Sequence, residues 1–126
     1  MIQLGTALKS TEAPYHRCVV LSDPSANGGQ VVLVRVTTDD GTWPDRDCVL
    51  GPADWKELEH ASTVAYSTCK CGPAVKSLGA AVTNGLFTVI SPPPTAVLKR
   101  IIQTARTAKG MPPLARRWLA DEASIQ

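Results

Sequence analysis

Two short stretches hold the side chains with the most chemistry to offer: His16-Arg17, and Arg35 to Thr38 (R-V-T-T). An imidazole with an ordinary pKa of ~6.5 exchanges protons near neutrality. A guanidinium presents paired planar donors to an oxyanion, and a threonine hydroxyl adds one directed hydrogen bond. Elsewhere the familiar catalytic patterns are missing: there is no G-x-S-x-G, Walker loop, H-E-x-x-H or G-x-G-x-x-G. His16 and His60 are the only histidines, which excludes a histidine-rich metal centre. Asp39, Asp40, Asp45 and Asp47 crowd into a Gly/Pro turn, a pattern of solvated loops more than of acid/base pairs. Cys69 and Cys71 form a C-x-C, whereas zinc sites normally use C-x-x-C pairs. Buried strand thiols are therefore expected, and an irregular zinc site that also recruits Cys18 and Cys48 is the alternative.

The charge pattern adds a second clue. From Met1 to His60 five Lys/Arg face nine Asp/Glu, a net of −4; from Ala61 to Gln126 eight Lys/Arg face two acidic residues, a net of +6. No acidic residue occurs between Ala61 and Ala120. Such a half suits either a phosphate-facing surface or a solvated basic helix. Aromatic residues make up only 5% of the chain, which argues against a nucleic-acid platform built from several stacked rings. No apolar run approaches the ~20 residues of a membrane span, and MIQLGTALKS lacks the basic and apolar regions of a secretory leader. A cytoplasmic location is the expectation.

These side chains need elements to hold them. The 126 residues, 44% hydrophobic and 19% charged, fit one globular unit with a Val/Leu/Ile/Ala core. Val and Thr density predicts strands at Arg17–Ser22 and Gln30–Thr38, joined by the turn-rich stretch Asp23–Gly29. In the second strand Val32, Val34 and Val36 share one face, and Arg35 and Thr37 share the other with Leu33. A short strand at Asp47–Leu50, a helical turn at Ala53–Leu58 and a strand at Ser62–Cys69 follow. Asn84-Gly85 between apolar runs predicts a tight hairpin. After Pro94 the spacing of Val97, Leu98, Ile101, Ile102 and Ala105 predicts a helix capped by Thr95, ending before Gly110 and exposing Lys99, Arg100, Arg106 and Lys109. Leu114, Trp118 and Leu119 mark a short second helix. The expected fold is mainly β (α+β): a small antiparallel barrel with a C-terminal helix over residues 1–110, and a short helical extension over 111–126.

Two blocks carry a resemblance to a known family. Gly5 near the start is followed by His16, Arg17, Cys18, Val19, Val20, Leu21 and Ser22, and then by Val34, Arg35, Val36, Thr37 and Thr38. In order and spacing this resembles the MazF/PemK/Kid toxin endoribonucleases of toxin–antitoxin systems, over residues 5 to 105. The resemblance implies an SH3-like barrel, usually a homodimer and neutralised by an antitoxin protein, that cleaves single-stranded RNA with no metal or other cofactor. It implies catalytic roles for Arg17 and Thr37. A guanidinium there would steady the charge built up when a ribose 2′-hydroxyl attacks phosphorus, and His16 is the natural proton carrier, since arginine stays protonated. Ser22, Arg35, Thr38 and Lys70 are the expected RNA-positioning residues. Adjacent residues on a regular strand face opposite ways, so His16 is alternatively a surface histidine, and Arg17 alternatively a structural partner of Asp23 or Asp47. Cys18 stands where the family has proline, and Ser67 and Thr68 stand where it often has a D-Q pair. A non-catalytic SH3-like module that binds RNA or a protein is therefore the second reading.

Overall fold

The computed structural model describes residues 2–125, apart from the side chains of residues 71–74 and 124. Its strands are β1 (Ala7–Ser10), β2 (Arg17–Val20), β3 (Gln30–Thr38), β4 (Val49–Leu50), β5 (Ser62–Ala74) and β6 (Phe87–Ile90). The helices are α1 (Val75–Thr83), α2 (Thr95–Ala105) and α3 (Pro113–Arg117), with a final 3₁₀ turn at Glu122–Ser124. All strand pairings are antiparallel, in the order β4-β5-β3-β2-β1-β6. A mainly β, α+β fold is thus present, but the sheet is open and the expected SH3-like barrel does not close. Closure would require β4 to meet β6; β4 has two residues, and β6 is held against β1 at the far edge. No helix among the described residues is long and apolar enough to cross a membrane.

Alternation along β3 gives the sheet two apolar faces and hence two cores. Val32, Val34 and Val36 join Val19, Leu21, Val64 and Tyr66 under α2, whose Val97, Leu98, Ile101, Ile102 and Ala105 supply the expected helical stripe. Trp55 is buried in this core and donates its Nε1–H to the Ser91 carbonyl at 2.9 Å. The C-terminal segment packs here too, through Met111, Ala115, Ala120 and Ile125. On the other face Leu8, Val20, Val31 and Leu33 pack beneath Leu78, Val75 and Val82 of α1.

Three local expectations are corrected. Asn84-Gly85 ends a helix instead of turning a hairpin: Leu86 N–H reaches the Ala81 carbonyl at 2.9 Å, Gly85 N–H reaches Val82 at 3.1 Å, and Gly85 takes φ +79°. The same dipeptide serves both structures because both need a left-handed residue. Pro94, not Thr95, occupies the cap position of α2. Ala53–Leu58 forms successive turns, since Asp54 folds back to accept the Gly51 N–H at 2.8 Å and Trp55 drops into the core.

The acidic turn is structural. Asp39 pairs with Arg46 at 2.8 Å, Asp40 accepts from Thr42 N–H at 2.9 Å, and buried Asp45 accepts from the Ser67 hydroxyl and backbone N–H. Gly110 lies directly over that last contact: a Cβ there would sit 2.6 Å from Asp45 Oδ1 and 3.2 Å from Ser67 N. Because the carboxylate is held by those donors, G110A is expected to lower stability by about 1–3 kcal/mol. G79A, at an open helical position with nothing within 4 Å, is expected to raise it by about 0.5–1 kcal/mol. Urea midpoints for the two variants check both signs.

Candidate functional site

The residues named from sequence divide between the two faces. Val36 is the register partner of Arg17, and Arg35 is that of Cys18. Paired residues share a face and neighbours along a strand do not. Arg17 therefore lies on the α2 face, as does Thr38, whereas Arg35 and Thr37 lie on the α1 face. The structure does not bring Arg17 and Thr37 to one side of the sheet. Arg17 has one carboxylate nearby, Glu59 at 3.9 Å, in place of Asp23 or Asp47; its side chain is 18% exposed and its Nε is buried with no hydrogen-bond partner. Ser22 is fully buried, and its hydroxyl accepts the Val32 N–H at 2.9 Å, which ties the end of β2 to β3.

On the α1 face, by contrast, three candidates converge. His16, Arg35 and Lys70 line one cleft of about 170 Å³, together with Ser10, Cys18, Leu33, Thr68 and Phe87. None of the eight carries a carboxylate. Each strand from β5 across to β6 contributes, and β2 adds His16 one residue before its start. The register continued by that residue sets His16 opposite Thr37, on the same face. Ser10 orders the approach of His16: its Oγ accepts the His16 N–H at 2.8 Å, and its own N–H donates to the His16 carbonyl at 2.9 Å. An irregular stretch of β5 brings in Lys70 and Thr68. Between the pairs Arg35↔Ala65 and Leu33↔Lys70, β3 advances two residues and β5 five. Such bulges re-aim side chains, commonly beside functional sites. The bulge is closed by Thr68 Oγ1 donating to the Ala65 carbonyl at 2.7 Å.

The electrostatics of the cleft favour an anion. Among the described residues neither Arg35 nor Lys70 has an ion-pair partner. Burial, and then the Arg35 guanidinium, hold the His16 imidazole below its ordinary pKa of 6.5, so it is neutral at pH 7 and able to accept a proton. Burial pushes the Cys18 thiol up, against the pull of Arg35 and Lys70, and this keeps it a neutral wall. The volume is below the ~300–1,000 Å³ of sites that swallow a whole drug-sized ligand. It suits a phosphate and part of what is joined to it, with the remainder of the ligand standing outside.

Three other cations of the basic half are structurally engaged. Arg106 holds Glu122 at 2.7 Å and the Ala120 carbonyl at 2.7 Å; Arg100 donates to the Val49 carbonyl at 2.8 Å and Arg116 to Ala108 at 2.8 Å. A larger cavity, about 640 Å³, lies between β1, β6 and the start of α2; Asp23 is the charged residue of its lining, and none of the candidates reaches it. Size therefore does not coincide with chemistry here. The buried thiols Cys18 and Cys48 lie on opposite faces, with Cys69 in the core of Cys48, and the side chain of Cys71 lies outside what is described. Among the described residues no cluster of His, Cys, Asp and Glu is arranged to hold a metal ion.

Comparison with family models, curated proteins and solved structures finds no match to the chain.

Proposed function

We propose that this chain binds single-stranded RNA at the His16/Arg35/Lys70 cleft and cleaves it without a metal ion, as a cytoplasmic toxin-type endoribonuclease. The observation that carries this reading is the convergence of one proton acceptor and two cations, neither ion-paired among the described residues, in a cleft whose lining has no carboxylate. The resemblance of the two sequence blocks supports the choice of RNA, and with it a homodimer held in check by an antitoxin. Neutral His16 takes the proton of the ribose 2′-hydroxyl, and the 2′-oxygen bonds to phosphorus. Arg35 and Lys70 balance the charge of the five-coordinate state. The bond from phosphorus to the 5′-oxygen then breaks, and that oxygen recovers a proton through solvent. The products are a 2′,3′-cyclic phosphate and a 5′-hydroxyl. Arg17, on the other face, acts outside this step.

Long single-stranded RNA incubated with the protein in EDTA tests the assignment. H16A is expected to slow cleavage by about 10²–10⁴-fold, the usual contribution of a general base, and R17A is expected to leave it within a few-fold of the parent. Cleavage by H16A at the parent rate overturns the role of His16. An R17A defect as deep as that of H16A overturns the placement of the site. The pH dependence has a definite sign: as pH falls through a value below 6.5, His16 gains a proton and cleavage declines. RNA affinity rises over the same range, because a third cation enters the cleft. Binding without cleavage by the parent protein would favour the non-catalytic module, for which the separation of Arg17 from Thr37 is the supporting observation.

A further inference from the structure

The lining of the cleft is drawn from five successive strands, and its chemistry changes from β5 across to β6. Lys70 on β5 and Arg35 on β3 form one end, His16 and Ser10 follow on β2 and β1, and Phe87 on β6 closes the other. Neighbouring strands are ~4.8 Å apart, so about 14 Å separates the backbones of β3 and β6, and the inward side chains shorten that span. A bare phosphate would use only the cationic end. The aromatic end calls for a flat apolar group joined to that phosphate by a short polar linker passing His16 and Ser10.

Phe87 is the only phenylalanine of the chain. It is partly buried, packs against the core beneath α1, and still lines the cleft. A single ring is no platform for several bases, but it is sufficient for one. Resting on the reading of the cleft as a phosphodiester site, we infer that the ligand unit is one nucleotide laid across the sheet. Its 3′-phosphate lies at Arg35 and Lys70, its ribose beside His16, and its base stacked on Phe87. This order sets the 2′-hydroxyl next to the imidazole. Stacking on a ring face reads no base edge, so this contact favours nucleotides over simple phosphates while tolerating any base.

The test compares three probes by calorimetry on the intact chain: inorganic phosphate, ribose 3-phosphate and cytidine 3′-monophosphate. The parent protein is expected to bind the nucleotide at least about fivefold more tightly than ribose 3-phosphate, the lower end of what one stacked base contributes. F87L keeps an apolar side chain against the core but has no ring; it is expected to erase that preference and leave ribose 3-phosphate affinity unchanged. F87Y, which retains a ring face, is expected to restore the preference. An undiminished preference in F87L overturns the inference and leaves the phosphate site standing. Failure of the parent to bind any of the three, or binding of inorganic phosphate unaltered in R35A, overturns the reading of the cleft itself.

Discussion

Replacing Arg35 and Lys70 together with alanine is expected to weaken single-stranded RNA binding by at least about tenfold at low salt and to abolish detectable cleavage. Hydrogen bonds to charged groups contribute about 1.5–3 kcal/mol each, and these two cations lack competing carboxylates among the described residues, so little of that contribution is offset within the protein. The salt dependence gives a sharper check than affinity alone. Each phosphate neutralised on a single strand contributes about 0.7 to the slope of log K against log salt. A cleft of about 170 Å³ admits one phosphate between two cations. The slope should therefore fall by about 0.7, and a fall of about 1.4 would mean that Arg35 and Lys70 serve separate phosphates. An unchanged slope would show that RNA binds elsewhere, on the helical cations for example.

The other large effect is on stability. Trp55 is 1% exposed, in the core under α2, and is the largest side chain wholly enclosed there. W55A is expected to cost about 3–5 kcal/mol, the range for truncating a buried aromatic. That is a large part of the ~5–15 kcal/mol available to a small domain. W55F keeps most of the apolar volume and forfeits the Nε1–H bond to Ser91, leaving that carbonyl to seek water; about 1 kcal/mol of its loss belongs to the hydrogen bond. Urea denaturation of the three proteins orders them parent, W55F, W55A. A W55A midpoint no lower than that of W55F would show that the pocket collapses around the deletion.

Much of this architecture was legible from local pattern. The valines of β3 announced their strand and its apolar face, and Val97 to Ala105 announced α2, because side-chain period alone decides such segments. β1 was unmarked: Ala7–Ser10 is short, and one of its two partners, β6, lies far along the chain. The α1 segment was misread because Asn84-Gly85 meets the backbone requirement of a hairpin and of a helix end equally well. The site shows the same division. His16, Arg35 and Lys70 stood out by residue type and position, while Ser10 and Phe87 carried no signal and Thr68 stood out only as a departure from the family pattern. Phe87 joins the cleft only because β6 pairs with β1, across more than seventy residues of sequence. Thr68 joins it only through the five-for-two bulge of β5, which strict alternation does not foresee.

One consequence follows from the two cores on opposite faces of a single sheet. Trp55, Tyr66 and α2 provide most of the packing on one side, whereas the cleft opens on the other, beside the smaller core under α1. Substitutions that remodel ligand preference and substitutions that set thermal robustness therefore fall on separate surfaces with few shared neighbours, and distant sites combine additively. The molecule can change what it binds while its fold holds constant, and the sheet is the partition that makes these two kinds of change independent.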